Sequence, residues 1–227
     1  MKAFLIFAAV VAAVSANECY KDVLSACRNG NTLSKQQGLL STCDSKYGAI
    51  DAVEGELQRF TNSLLYKSFD FLILSTHYGN YLKNRPGFEK LFRGLSDGLW
   101  EDTINSIKYI TSRGGEMSFS NIDTVNDVSN DAATLELYEL HSLGKALDIE
   151  KKMAEKAFDI HKAASGHKTD HHDPEVAHHL EEKFMSKQRN IIRDLAGYTK
   201  DLSQIMDTPD VSLGLYLFDE YLQKVVD

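Results

Sequence analysis

The sequence predicts an all-α protein, a four-helix bundle with a short fifth helix near its C-terminal end. Apolar residues recur at helical spacing along four long segments, each of roughly 30 residues. The 227-residue chain holds only 3 prolines, and long helices tolerate few prolines. The connection between the second and third segments is long, whereas the others are short. We therefore expect four amphipathic helices packed face to face with one long crossover.

The first two helices are predicted at about residues 45–78 and 87–112. Gly79-Asn80 and Pro86-Gly87 separate them, and both dipeptides are typical of turns. The second helix ends at Arg113-Gly114-Gly115, where a cation precedes a glycine C-cap. The apolar stripes that define the two helices are Ile50, Val53, Leu57, Phe60, Leu64 and Phe71 in the first, and Phe88, Phe92, Leu95, Leu99 and Ile110 in the second.

The third helix is predicted at about residues 131–164, after a connection rich in Ser, Asn and Asp at 116–130. The fourth helix opens at Asp173-Pro174, with an N-cap aspartate before a proline at the first helical position. Pro209 ends that pattern, and the short fifth helix covers about residues 211–226.

The N-terminus has the features of a secretory signal peptide. A basic start at Lys2 precedes an apolar run, and Val14-Ser15-Ala16 fits a small-residue cleavage site, which puts the signal peptide at residues 1–16. A Cys-bearing extension at 17–44 and the helical domain at 45–227 follow. No later stretch approaches about 20 apolar residues, so we expect no transmembrane helix.

Three cysteines, Cys19, Cys27 and Cys43, lie in that extension. A secreted chain passes through an oxidising compartment in which thiols pair. Because three is an odd number, one disulfide leaves one cysteine over. That cysteine either bonds another chain or stays as a buried thiol, and the sequence favours neither alternative.

The chain is acidic, with 25 Lys and Arg against 33 Asp and Glu and a net charge of −8. Nucleic-acid binding needs clustered cations that neutralise phosphates, so this charge argues against a nucleic-acid partner. Acidity is better suited to binding metal cations, although it favours that function only slightly.

Two polar side chains, Glu150 and Gln188, fall on otherwise apolar stripes of the third and fourth helices. A carboxylate is costly to bury without a partner. The two residues therefore either bond each other or are part of a metal site. A di-iron carboxylate site takes ligands from all four helices. The facing stripes of the first two helices offer Leu64 and Leu99 instead, with Asp102 near, so such a site would be incomplete.

Other polar groups suggest further hypotheses. Asp97, Glu101 and Asp102 place three carboxylates within one short stretch of the second helix, either as a solvated face or as a face that gathers ferric ions inside a hollow shell. The only Glu-x-x-His, Glu175 to His178, is interpreted as a surface turn. Further histidines around the third loop match no zinc spacing and are interpreted as solvated: His161, His167, His171, His172 and His179.

Six short segments, together with the predicted helix lengths, follow the order found in the ferritin family. The resemblance covers about residues 45–226. The fold implied is the ferritin-like four-helix bundle with one long crossover between helices two and three. The signal peptide and early cysteines make the chain similar to the light-type subunits of secreted insect ferritins. The segments are Asn62-Ser-Leu-Leu-Tyr66, Ser112-Arg-Gly-Gly-Glu116, Ala146-Leu-Asp-Ile-Glu150, Asp173-Pro174, Lys187-Gln188 and Tyr216-Leu-Phe-Asp219.

The resemblance also assigns the positions of the family's ferroxidase centre. Glu150 and Gln188 are retained, and the other four positions hold Leu64, Phe71, Leu99 and Asp102. The resemblance therefore implies a subunit that does not catalyse Fe²⁺ oxidation. It leaves Glu150 and Gln188 as the remnant of the metal centre.

The resemblance further implies a mixed 24-subunit shell with a heavy-chain homologue that oxidises Fe²⁺, around a ferric mineral core. Glu101, with Asp97 and Asp102, would nucleate mineral. His178 and Glu181 would line the three-fold channel for Fe²⁺ in transit, and the leftover cysteine would link the subunits. Two alternatives stay open: an active ferroxidase with an unconventional site, and a monomeric extracellular helical ligand. No membrane partner is expected.

Overall fold

The computed structural model describes residues 19–28, 40, 42–119, 137–166 and 172–226. The chain divides into two units, Met1–Tyr47 and Gly48–Asp227. Within the described ranges all the regular structure is helical, which confirms the all-α prediction. None of the described helices is both long enough and apolar enough to cross a membrane.

The first unit holds a short helix, α1 (Cys19–Arg28), and a disulfide between Cys19 and Cys43. The segment around Cys43 is also held by Thr42, whose backbone N and Oγ1 donate to Asp22 Oδ2 over 3.0 and 2.7 Å. The internal disulfide predicted from the cysteine count is thus Cys19–Cys43. The side chain of Cys27 and the whole predicted signal peptide lie outside the described part of the chain.

The second unit is the predicted four-helix bundle with a short C-terminal helix. The fourth bundle helix is interrupted by a π-helical turn at Glu181–Met185, which the apolar pattern does not indicate. The connection between the second and third bundle helices, from Ser112 to Glu139, is the long one. The helices are α2 (Ile50–Tyr78), α3 (Pro86–Ser112), α4 (Glu139–Ser165), α5 (Pro174–Leu180), α6 (Ser186–Met206) and α7 (Val211–Val225).

Two helix starts differ from the prediction, and the backbone explains both. α2 begins at Ile50 rather than near residue 45, because Gly48 has a positive φ of 66° that no helical residue adopts. α4 begins at Glu139 rather than near residue 131, since Tyr138 is extended. The part of that predicted helix at 131–136 lies outside the described residues.

The two predicted cap signals are confirmed. Asp173 caps α5, where its side chain accepts from the backbone N–H of Val176 over 3.2 Å. Gly114 follows the end of α3 with a φ of 82°, and the Gly115 N–H reaches back to the Ile110 carbonyl over 3.0 Å. This is the glycine-terminated helix end that the sequence predicts.

The core lies where the four stripes meet. Tyr78, the last residue of α2, is fully buried in it, and its ring stacks on Phe92 with 5.5 Å between centroids and an interplanar angle of 11°. α7 packs at the start of α3, where Asp219 accepts from the backbone N–H groups of Gly87 and Phe88 over 3.0 and 3.1 Å. Those amides have no partner within their own helix, so a side chain from α7 satisfies them.

Candidate functional site at the bundle centre

The two polar residues of the apolar stripes, Glu150 and Gln188, face each other in the bundle core. Glu150 has 0% and Gln188 1% of its surface exposed. The Gln188 amide nitrogen donates to the Glu150 carboxylate through Oε2 and to the Glu150 backbone carbonyl over 2.9 Å. The structure thus shows the pairing that the sequence left as one of two alternatives.

The second carboxylate oxygen of Glu150, Oε1, is buried and accepts no hydrogen bond from the described residues. Burial is the main cause that raises the pKa of Glu150 to about 7; the charge of Asp102 acts in the same direction, and the hydrogen bond from Gln188 and the charge of Lys187 oppose it. A carboxylate with one unsatisfied oxygen in a low-dielectric core is a group that favours a proton or a cation.

A lysine from α6 reaches into the same region. Lys187 Nζ lies 2.9 Å from both carboxylate oxygens of Asp102 and donates to the Gly98 carbonyl over 3.3 Å. The Asp102 side chain is 11% exposed and that of Lys187 38%. Burial raises the pKa of Asp102, and its bond to Lys187 opposes that effect.

One cavity between α3 and α6 joins these groups. It is lined by Asp102, Glu150 and Lys187 together with apolar residues that include Leu99. Asp102 also lines a second cavity, together with Leu64 and His179. Asp102 therefore borders one cavity with Leu64 of α2 and another with Glu150 of α4.

The other three positions that the family resemblance assigned to the metal centre hold apolar side chains, and these are buried in the core. Leu64, Phe71 and Leu99 are buried, with 1%, 0% and 3% of their surface exposed. Hydrocarbon side chains offer no electron pair to a metal ion. Within the described ranges no three His, Cys, Asp or Glu side chains are grouped as metal ligands. An ammonium and two carboxylates are a poor fit for a pair of iron ions.

The acidic residues of α3 do not form one cluster. Asp97 accepts two bonds from the Arg93 guanidinium over 3.0 and 2.9 Å, and both side chains are exposed. Glu101 is exposed to solvent. Asp102 instead faces Lys187 and the core. Because Asp97 is paired with Arg93 and Asp102 with Lys187, the hypothesis that these carboxylates gather ferric ions depends on Glu101.

The predicted channel residues are exposed near the start of the fourth bundle helix. His178 lies 3.6 Å from Glu182, and the carboxylate of Glu181 is 2.7 Å from His161 Nε2. The neighbouring His179 stacks on Tyr109 with 3.7 Å between ring centroids, and burial lowers its pKa. The structure thus brings Glu181 and His161 together. His167 and His171 lie outside the described residues, and His172 is exposed.

A buried ion network that the sequence analysis missed lies at one end of the bundle. Arg113 Nη2 is 2.8 Å from Asp173 Oδ2, and its Nη1 binds Glu175 and the Tyr109 hydroxyl. Arg113 and Asp173 are each 3% exposed. Glu175 and His178 of the Glu-x-x-His motif are both exposed, as a surface turn requires, and Glu175 also binds Arg113. The only sequence signal was the charge of Arg113 at a helix end.

Comparison with known proteins gives no match among models of protein families. Individual proteins do match. The ferritin light chain of Drosophila melanogaster is 46% identical over 208 residues, which cover 91% of this chain and 89% of the relative. The chain belongs to the ferritin family. The ferritin light chain of Trichoplusia ni is 40% identical over 225 residues, 96% of this chain and 95% of the relative.

More distant ferritins and a solved structure agree. The soma ferritin of Lymnaea stagnalis is 28% identical over 74% of this chain and 88% of that protein. The crystal structure of the Trichoplusia ni secreted ferritin superposes with a TM-score of 0.82 at 40% identity, covering 93% of this chain and 100% of that one. The ferritin-like bundle is thereby confirmed, and the chain is similar to ferritins named light chains.

Proposed function

We propose that the chain is the non-catalytic, light-type subunit of a secreted ferritin shell, which stores ferric iron beside heavy subunits that oxidise Fe²⁺. The observation that carries this proposal is the ion pair at the bundle centre. Lys187 holds both oxygens of Asp102 at 2.9 Å, and Leu64 and Leu99 stand where ligands would be needed. Two iron ions require several oxygen and nitrogen donors on four helices. The centre supplies too few donors and adds a positive charge.

The relatives support the same proposal. The two insect relatives are named light chains, and the matched structure is titled a secreted ferritin. We propose for this chain a signal peptide at residues 1–16, passage through the secretory pathway and a mixed 24-subunit shell. The Cys19–Cys43 disulfide agrees with an oxidising compartment. Cys27 is left to link the chain to a heavy subunit, and Glu101 is the proposed contact with mineral.

Oxidation of Fe²⁺ tests the absence of catalysis. Assembled shells would be compared with shells whose heavy subunit has lost its ferroxidase ligands, and oxidation would be followed by the absorbance of Fe³⁺. We expect the mutant shells to oxidise Fe²⁺ no faster than buffer, because this chain lacks an iron-pair site. Substantial remaining oxidation would instead assign a working site to Asp102, Glu150 and Gln188. A small monomeric particle in place of a shell would favour a helical extracellular ligand.

His178 provides a test of the proposed channel. An imidazole carries no negative charge, so it attracts Fe²⁺ less than a carboxylate does. His178 is 73% exposed, so His178→Asp should fold and should speed iron entry severalfold, as measured by stopped-flow mineralisation. His141→Asp adds the same charge on the exposed start of α4 and is the matched control. Equal rates in the two variants would show that residue 178 does not act on iron entry.

A further inference from the structure

The bundle centre contains an unusual combination of groups for a buried position. The Asp102 carboxylate is bonded at both oxygens by Lys187. The Glu150 carboxylate is bonded at one oxygen only, and its Oε1 is buried without a partner among the described residues. Both carboxylates and the lysine line one cavity between α3 and α6. The Lys187 ammonium thus bonds one of the two carboxylates that line this cavity.

We propose that Lys187 is the built-in cation of this centre, which keeps divalent metal ions out, and that its removal opens a single-cation site on Asp102 and Glu150. The proposal deepens the proposed function, on which it rests, by naming the residue that closes the centre. Lys187 acts as a positioning residue, since it holds Asp102 and touches no reacting atom.

The Lys187 side chain lies against the backbone of α3. A Cβ placed on Gly98 would be 3.5 Å from Lys187 Nζ and 3.8 Å from Cε, which are ordinary contact distances. The Gly98 carbonyl accepts a third contact from the ammonium over 3.3 Å. The lysine is therefore held by three oxygens from one helix, which fixes its position better than one surface ion pair would.

The chemistry of the two carboxylates determines which ligand would replace the ammonium. Oxygen donors suit hard and borderline divalent ions such as Mg²⁺, Mn²⁺, Fe²⁺ or Co²⁺, with water completing the coordination. With Lys187 in place the charge of Asp102 is already neutralised, and a divalent ion would meet a like charge. Without the ammonium, Asp102 and Glu150 are two acidic groups that face one cavity with no counter-ion.

Equilibrium binding of Co²⁺ tests the proposal by calorimetry on the purified protein in its native assembly. We compare wild type, Lys187→Met, and Lys187→Met with Glu150→Gln. Co²⁺ ions bound elsewhere in the assembly contribute equally to every variant, so they cancel when the numbers of bound ions are compared. We expect Lys187→Met to bind about one more Co²⁺ per chain than wild type, as two carboxylates and waters allow. The added Glu150→Gln change should abolish that gain.

Two further variants serve as matched controls. Lys187→Arg keeps the positive charge and should gain no cation. Lys183→Met removes the same charge from a lysine that pairs with Glu182 and is 57% exposed, and it should also gain none. A Lys187→Met protein that binds no more Co²⁺ than wild type would overturn the proposal. So would a gain that persists without the Glu150 carboxylate.

Wild type and Glu150→Gln alone give a test that does not depend on the folding of Lys187→Met. If the ammonium closes the centre, the two proteins bind the same number of Co²⁺ ions. One ion fewer in Glu150→Gln would show that the wild-type centre already takes a cation, and the proposal would be wrong. The proposed function is tested by a different measurement, the rate of Fe²⁺ oxidation. Co²⁺ binding does not report that rate, so failure of this inference can be told apart from failure of the proposed function.

Discussion

Replacing Arg113 with methionine is expected to destabilise the bundle by about 3–5 kcal/mol, the usual cost of removing one partner from a buried ion pair. The guanidinium lies 2.8 Å from Asp173 and is 3% exposed. Methionine fills similar space but leaves the Asp173 carboxylate charged in the core without its cation. Chemical denaturation followed by circular dichroism measures the loss as a lower denaturant midpoint.

Arg93→Met is the matched control for that prediction. Arg93 pairs with Asp97 on the same helix, yet both side chains are more than half exposed. An exposed pair of this kind contributes about 0–1 kcal/mol. The midpoint of Arg93→Met should therefore lie close to that of wild type. Equal losses in the two variants would mean that burial does not set the strength of the Arg113 pair.

The position of the Arg113 network explains why a large effect is expected. Asp173 accepts from Arg113, from the backbone N–H of Ala49 over 3.0 Å and from Val176. One carboxylate thus joins the start of α2, the end of α3 and the first turn of α5. Since α5 carries His178, the network also fixes the helix that bears this proposed channel residue.

Most of the fold follows from local patterns in the sequence. Stripes of apolar residues three and four apart require helices that pack on one another, and Asp173-Pro174 and Gly114 mark helix boundaries through local capping chemistry. Glu150 and Gln188 stand out for the same reason, because a polar residue within an apolar stripe must find a partner inside the core. The structure shows that each is the other's partner.

The ion pairs could not be predicted in this way, because their partners are far apart in the sequence. Lys187 and Asp102 are 85 residues apart, and neither breaks a stripe. Asp102 also follows Glu101 directly, so the sequence groups it with the exposed carboxylates of α3. One residue along a helix is a rotation of about 100°, which turns Asp102 away from its neighbour and toward Lys187. The π-helical turn at Glu181–Met185 changes the register of Lys187 and Gln188 on the fourth bundle helix, and no composition signal marks it.

The buried Glu150 predicts a pH dependence of stability. Its pKa is about 7 in the folded chain against an ordinary value of 4.5. Between these two pH values the folded state binds more protons than the unfolded state, so stability falls as pH rises through that window. The difference corresponds to a loss on the order of 3 kcal/mol at a pH above 7. Glu150→Gln has no group to titrate and keeps an amide for Gln188 to bond.

The expected result is therefore a stability difference that grows with pH. Relative to wild type, Glu150→Gln should gain on the order of 3 kcal/mol in free energy of unfolding between about pH 4 and about pH 8. Denaturation curves at several pH values measure that gain. Glu101→Gln removes an exposed carboxylate from the surface of α3 and serves as the control variant. A stability difference for Glu150→Gln that does not grow with pH would contradict this prediction and would show that the core glutamate stays ionised.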